Sequence, residues 1–550
     1  MIYSLLTFFF SLSLFSLFFA GLGKLLIKII SPNNKSFLEE ILYGIYFCSF
    51  ITLVFNFIFK IDWIYSYFLF FIGFFYFLIN YKKKSKVLKL IFLITLFSSI
   101  LIFYSKFQED FPWYSLPYIS ILNENKIIFG LTNIQFRFGV TSILTYGAAF
   151  AANIIKVENL IIPYILSSVV ILIYFFNEAL NKKNLIELKL YSFFISGYML
   201  VKFTRFEEYG NDVPAQFLFF YVIYKLYNLN LKKNFPEKIC LTILIISIIF
   251  QKLTMLPIVL IFILFLKGSN IKSLTYLIII SILMISTWTI KNLATSGCFV
   301  YPVDTTCIKS LSWTANKETH GDAKRVSLES EAWTKAWIDQ NSDNILKYDE
   351  YVENFDWIKV WYKKNLNLIF EKLLPLILLF LISIVYSQKN KTKKDENFLQ
   401  VQNYLILVCI ISIFVWFFNY PIYRYGSGFF VVLIISTFIR YFYKNNLIIN
   451  LKYVRYTLCI CLVFFIIKNV YRIKDNYTFQ SNSLFPRVFL DNENYEKNYT
   501  IAAQLNGIKV IYPSNNKACH YSGNFCTHHL ETIQNLNIKY KNGFIFFSSK

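Results

Sequence analysis

Apolar runs near 20 residues recur along most of the chain, and each is long enough to cross a bilayer core of about 30 Å. Lipid, not water, is therefore the expected solvent for most of the surface. Composition agrees. Charged residues are only 16% of the 550, where a soluble domain carries about a quarter, and Phe and Tyr occur 61 and 40 times. The reading is an all-α polytopic membrane protein with about 13–14 transmembrane helices, over roughly 2–22, 38–59, 62–80, 88–105, 159–177, 186–203, 213–229, 238–252, 255–267, 273–290, 366–387, 401–418, 427–443 and 453–471. The first run has no basic n-region and no small-residue cleavage site, so it reads as a retained helix rather than a signal peptide.

A net charge of +23 would ordinarily raise nucleic acid as a partner. Here the basic residues sit mainly in short loops between apolar runs, which is the positive-inside pattern, and nucleic acid is rejected. The clusters Lys82–Lys89, Lys182–Lys189, Lys232–Lys238 and Lys389–Lys394 then face the cytoplasm, with the N-terminus outside. The region 139–155 is apolar, but a crossing there would place two of these clusters on opposite sides. It reads as an interfacial or re-entrant helix, and Gly147, Ala148, Ala149, Ala151 and Ala152 suit close packing. Three long segments fall on the outer, periplasmic side of an inner membrane: 106–158, 291–365 and a tail from about 472 to 550. The organisation is thus a transmembrane domain over 1–471 and a small extracytoplasmic C-terminal segment over 472–550, of α/β character because IKVIYP (508–513) and GFIFF (543–547) are strand-like.

Five of nine cysteines lie inside apolar spans. The other four form two close pairs in outer loops, Cys298 with Cys307 and Cys519 with Cys526, where an oxidising compartment favours disulfides. For the second pair zinc is the competing reading, because His520, His528 and His529 crowd around it.

Four stretches carry the chemistry. In QEDFPWYSLPYI (108–119), Glu109 and Asp110 are carboxylates directly after the fourth span, placed to act as a general base or to hold a divalent metal; capping of a helix end is the plain alternative. KFTRFEEYGNDVPAQ (202–216) packs Lys202, Arg205, Glu207, Glu208 and Asp212 into one outer connector, more charge than a hairpin needs. NYPIYRYGSG (419–428) flanks Arg424 with Tyr423 and Tyr425, and Arg137 stands in GLTNIQFRFG (130–139). Arginine suits phosphate, although snorkelling to lipid headgroups competes. Lys252, at another outer turn, fits an anchoring role at least as well as a catalytic one. The tryptophans Trp333 and Trp337, and Trp357 and Trp361, have helical spacing and fit the membrane interface better than sugar stacking. No P-loop, GxGxxG, HExxH or GxSxG is present.

EDFPWYSLPYISILNENKIIFGLTNIQFRFG (109–139), FEEYGNDVPA (206–215), KNLATSGCFVYPVDTTCIKSLSW (291–313) and YPIYRYGSG (420–428) together resemble the GT-C superfamily of polytopic membrane glycosyltransferases. More closely they are similar to a bacterial family of polytopic proteins linked to surface-polysaccharide or lipopolysaccharide synthesis. The resemblance covers under a fifth of the chain. It implies a polyprenyl-phosphate sugar donor, a glycan or lipid acceptor at the cell envelope, and no nucleotide cofactor. It also implies a general base at Asp110 with Glu109 beside it, and a donor phosphate held by Arg424 or by a divalent metal on Glu109, Asp110 or Asp212. Tyr114, Arg137, Tyr423, Tyr425, Lys202, Arg205, Glu207, Glu208 and Asp212 are the expected substrate-binding neighbours. The family pattern places a His after the tyrosine of the first motif; here that position is Ser115, a departure that bears on any His-dependent role. A polysaccharide polymerase or ligase, and a non-enzymatic flippase or transporter of glycolipid, are the alternative readings.

Overall fold

The computed structural model describes residues 2–30, 35–81, 84–103, 110–203, 205–206, 210–229, 235–266, 270–339, 347–389, 396–479, 499–505, 508–513, 518–519, 521, 523–528 and 536–549. In chain order the helices are α1 (Ile2–Ile30), α2 (Phe37–Asn56), α3 (Trp63–Asn80), α4 (Lys84–Ile102), α5 (Leu116–Glu124), α6 (Ile143–Ala152), α7 (Ile162–Leu180), α8 (Ile186–Lys202) and α9 (Asp212–Tyr227). They continue with α10 (Phe235–Gln251), α11 (Phe262–Leu266), α12 (Ile271–Ser296), α13 (Lys317–Thr334), α14 (Tyr348–Glu353), α15 (Trp357–Val385), α16 (Glu396–Asn419), α17 (Tyr423–Lys444) and α18 (Leu451–Phe479).

Ten helices among the described residues are long and apolar enough to cross a membrane: α1–α4, α7, α12 and α15–α18. This is the make-up of a multi-pass membrane protein. Three further expected spans are helices of 17, 16 and 17 residues, α8, α9 and α10, and the region 255–267 is a 3-10 run ending in the five-residue α11. Pro257 inside that run removes a backbone donor and keeps it from winding as a regular α-helix. At about 1.5 Å per residue, the ten-residue α6 spans about half of what a crossing needs. It is buried along its whole length, and a Cβ at Gly147 would lie 2.5 Å from the Ser49 hydroxyl of α2.

The interior is built by close helix contact. A Cβ at Gly44 would sit 1.9 Å from the Phe19 carbonyl, and one at Gly21 1.9 Å from the Gly73 carbonyl, so glycine lets α1 touch α2 and α3 backbone to backbone. Phe15, Phe18, Phe70 and Phe150 pack ring to ring beside these contacts. The outer flanks are the reverse. Phe68, Phe75 and Ile79 of α3 and Ile279, Ile282 and Leu283 of α12 are exposed, as expected of side chains whose solvent is lipid.

A buried ion network ties one end of the bundle. Ser36 caps α2 in a capping box with Glu39. Glu39 pairs with Lys225 of α9 and accepts from the Tyr221 hydroxyl at 2.8 Å, and Glu237 at the start of α10 pairs with Lys35. At this end β1 (Ser387–Lys389) pairs with β2 (Leu447–Ile449), joining the α15–α16 and α17–α18 connections.

The other end carries the long segments. The C-terminal segment has β3 (Tyr499–Leu505), β4 (Ile508–Pro513), β5 (Phe525–Cys526), β6 (Leu536–Lys541) and β7 (Phe544–Ser549). β3–β4 and β6–β7 are antiparallel hairpins, and β5 runs parallel to β4. Among the described residues, this segment forms a small sheet region beyond the end of α18. It is docked, not tethered. Phe129 exchanges backbone hydrogen bonds with Ile545 and Phe547, Thr527 donates to the Ile134 carbonyl at 2.7 Å, and Gly523 donates to Ser120 at 2.7 Å.

Candidate functional site

The carboxylate at the mouth of the bundle is placed by an irregular turn. Asp110 precedes a π-helical turn, Phe111–Ser115, that runs straight into α5, with Pro112 and Pro117 early in each piece. π-turns are uncommon and concentrate at functional positions. Here the turn brings Tyr114 round to Asp110, while a short 3-10 turn (Phe136–Gly139) brings Arg137 in from the other side. Arg137 Nη1 lies 3.5 Å from Asp110 Oδ1, and its guanidinium sits 5.2 Å from the centre of the Tyr114 ring. Burial, followed by the Asp110 charge, pushes the Tyr114 hydroxyl above its usual range.

A second group assembles beside it. Asp212 is the first residue of α9, where the helix N-terminus favours an anion. Lys252, just past α10, reaches it at 2.7 Å, and Arg424 Nε lies 3.8 Å from its other oxygen. Tyr425 stands between the cations. Lys252 Nζ is 4.3 Å and the Arg424 guanidinium 5.0 Å from its ring, and Arg424 Nη2 donates to its hydroxyl at 3.1 Å. Gln216, one turn along α9 from Asp212, donates to the Arg424 carbonyl and accepts from Ser427 at 2.7 Å. One face of α9 thus holds the first turn of α17. Ile422 provides no side-chain cap for α17, and in this first turn the Tyr425 N–H donates to the Ile422 carbonyl at 3.0 Å. Burial works against the Lys252 ammonium, but Asp212 outweighs it and the pKa is raised. Tyr425 is close enough to Tyr114 to interact with it electrostatically, so the two groups are neighbours.

The site therefore gathers Asp110, Tyr114, Arg137, Asp212, Lys252, Arg424 and Tyr425. Arg424 and Asp110 are about half exposed, whereas the Asp212 side chain is only 13% exposed, which makes Asp212 a holder of cations rather than a group open to a substrate. Other expected residues go elsewhere. Tyr423 is turned into the bundle, with its hydroxyl 2.8 Å from that of Tyr198, so it supports the loop and does not line the site. Lys202 donates to the Glu371 carbonyl on α15 at 3.0 Å, and Arg205 is exposed near Arg472. Both leave the cluster because the chain between α8 and α9 separates its two ends. Glu109, Glu207, Glu208, His520 and His529 lie outside the described residues. Among the described residues the cations facing these carboxylates are Arg137 at Asp110, and Lys252 and Arg424 at Asp212.

Both cysteine pairs are disulfides, Cys298–Cys307 and Cys519–Cys526. His528 lies 3.7 Å from the Cys519 sulfur, with its ring 4.3 Å from that of Trp113, which lies in the π-turn that follows Asp110. Trp357 and Trp361 do share a face, but it is buried against Phe417 rather than spread at an interface. Trp361 donates to the Pro421 carbonyl and props the loop before Arg424. Sequence reasoning undervalued Lys252 and missed Gln216. The signal for Gln216 was present in its four-residue spacing from Asp212. It also missed Lys291, buried at the end of α12 with its ammonium on Thr141 at 2.6 Å.

The family described as "Domain of unknown function (DUF8201)" matches residues 1–431, more than three quarters of the chain. The chain belongs to the DUF8201 family. The DUF8201 match takes in every residue of the site, from Asp110 to Tyr425, and ends inside α17, before the docked β segment. No curated protein and no solved structure matches the chain.

Proposed function

We propose that this end of the bundle transfers a sugar from a polyprenyl-phosphate-linked donor to a hydroxyl of a cell-surface glycan or lipid, on the periplasmic face of a bacterial inner membrane, in the manner of GT-C glycosyltransferases. The observation that carries the reading is the pairing of a half-exposed carboxylate, Asp110, with a neighbouring group of cations, Arg137, Arg424 and Lys252, at the ends of apolar helices. In this reading Asp110 takes the proton of the acceptor hydroxyl as its oxygen bonds to the anomeric carbon. The bond from that carbon to the phosphate oxygen breaks, and the phosphate leaves with the electron pair. Its growing charge is met by Arg424, whose guanidinium offers a planar fork, and by Lys252 behind it. Asp212 holds both cations in place. The donor's lipid tail stays among the exposed apolar flanks while its phosphate remains at the helix ends, so no nucleotide is needed.

The test uses purified protein reconstituted with a pool of host polyprenyl-phosphate sugars, with sugar release followed by mass spectrometry. Wild-type turnover that is lost in Asp110→Asn, while the variant stays monodisperse, supports the reading. Equal turnover in both removes Asp110 as the base. Consumption only of lipid-linked oligosaccharide shifts the assignment to a polymerase or ligase, and donor movement across the bilayer without consumption shifts it to a flippase.

A further inference from the structure

The disulfide loop after α12 holds a set of metal ligands. Gly297, at φ 75°, ends α12 and turns the chain so that Cys298 is fully buried. The chain returns in an antiparallel bridge that sets Cys307 opposite Cys298. Asn316 caps α13, and the first turn of that helix delivers His320 to the same place. His320 Nε2 lies 3.7 Å from the Cys307 sulfur and 3.9 Å from the Cys298 sulfur. The Asp304 carboxylate lies 4.0 Å from the same ring nitrogen. The ligand atoms of Cys298, Cys307 and His320 all fall within 4.8 Å of one another.

These distances are those of a tetrahedron's edges. With Zn–S of about 2.3 Å and Zn–N of about 2.0 Å, a tetrahedral zinc separates sulfur from nitrogen by about 3.6 Å. Two of the three edges are already in place, and only the sulfurs need to part. We propose that, when the Cys298–Cys307 disulfide is reduced, Cys298, Cys307 and His320 bind one Zn2+, with Asp304 or a water as fourth ligand. The chemistry balances simply. A thiol or phosphine reductant supplies two electrons, two protons make two thiols, and zinc displaces those protons from sulfur. Thiolates and imidazole in this arrangement select zinc over the hard cations that carboxylates favour.

The second pair does not share this geometry. His528 touches Cys519, but its ring is packed on Trp113, and Cys519, Cys526 and His528 do not form such a ligand group among the described residues. The first site also has a job in the fold. Cys298 packs with Phe136 and Tyr301, next to Arg137, so either closure, disulfide or zinc, holds the wall behind that arginine. The proposal is independent of the glycosyltransferase reading, because it concerns this loop's ligands alone.

The full chain in detergent is treated with a phosphine reductant, exchanged into buffer with Zn2+ and desalted, and bound zinc is measured by mass spectrometry. One zinc per chain is expected after reduction and none without it. His320→Ala, which leaves every cysteine intact, should weaken binding by about tenfold or more. Co2+ in place of Zn2+ should give the visible absorption of a tetrahedral thiolate site in wild type, with loss of intensity in His320→Ala. Size-exclusion profiles check that the variant is folded. Zinc retention by reduced wild type no greater than by the Cys298→Ser/Cys307→Ser double variant, or equal affinity in His320→Ala, overturns the proposal.

Discussion

Lys252 reaches Asp212 at 2.7 Å and so joins the end of α10 to the first residue of α9. The same two helices carry Lys225 and Glu237, 3.9 Å apart, at their opposite ends. The antiparallel α9–α10 pair is therefore held by an ion pair at each end, with the signs exchanged between helices. Each acid sits at a helix start, where the helix dipole adds to the attraction.

The Lys252 pair has a defined pH dependence. Because its pKa is raised in the folded protein, its contribution is fully present below the unfolded lysine value and is lost only as pH rises through the folded value. Lys252→Met should lower the melting temperature. The gap to wild type should stay constant from about pH 6 to about pH 9 and close only above about pH 10.5. A gap that narrows toward neutral pH would contradict the pairing.

Arg424 should be far less replaceable than its charge alone implies. Lysine cannot donate to the Tyr425 hydroxyl and lie near Asp212 with one planar group. In the transferase assay, Arg424→Lys should retain a fraction of the activity and Arg424→Ala should lose about 100-fold or more. Asp212→Asn should fall between them, because it releases both cations without removing either.

Asn133 joins three segments and should be costly to lose. It donates to the Trp313 carbonyl at 3.2 Å and the Phe547 carbonyl at 3.1 Å, and accepts from the Asn316 N–H at 3.0 Å. Asn133→Ala leaves buried backbone groups without partners, at a cost of about 2 kcal/mol or more. Thermal unfolding should show it, together with easier proteolysis of the C-terminal segment.

Two glycines make a matched test of packing. Gly44→Ala places a methyl group 1.9 Å from the Phe19 carbonyl, which is backbone and cannot yield without moving α1 away from α2, so destabilisation of about 1–3 kcal/mol is expected. Gly321→Ala meets nothing within 4 Å on the exposed face of α13, and should be neutral or stabilising by up to about 1 kcal/mol. Melting temperatures of the two variants in the same detergent decide it.

The sequence by itself determined which parts of this protein are apolar helices. Run length and charge scarcity are local properties, and α1–α4, α7, α12 and α15–α18 follow from them directly. It also determined that Asp110 opens a long segment and that the loop at Arg424 is short and aromatic. It also placed helices at α8, α9 and α10, to within about three residues of their ends. It did not choose among the charges of 202–216. Asp212 joined the site and Lys202 left it because each stands at the end of a different helix, and helix direction, not proximity in the chain, sets where an end points. Tyr423 and Tyr425 differ for a similar reason. Two positions apart at the start of α17, they face about 200° apart around it, so one enters the bundle and the other meets Arg424 and Lys252. Only the tertiary structure decided these matters, because a charge's partner is fixed by which helix packs beside it.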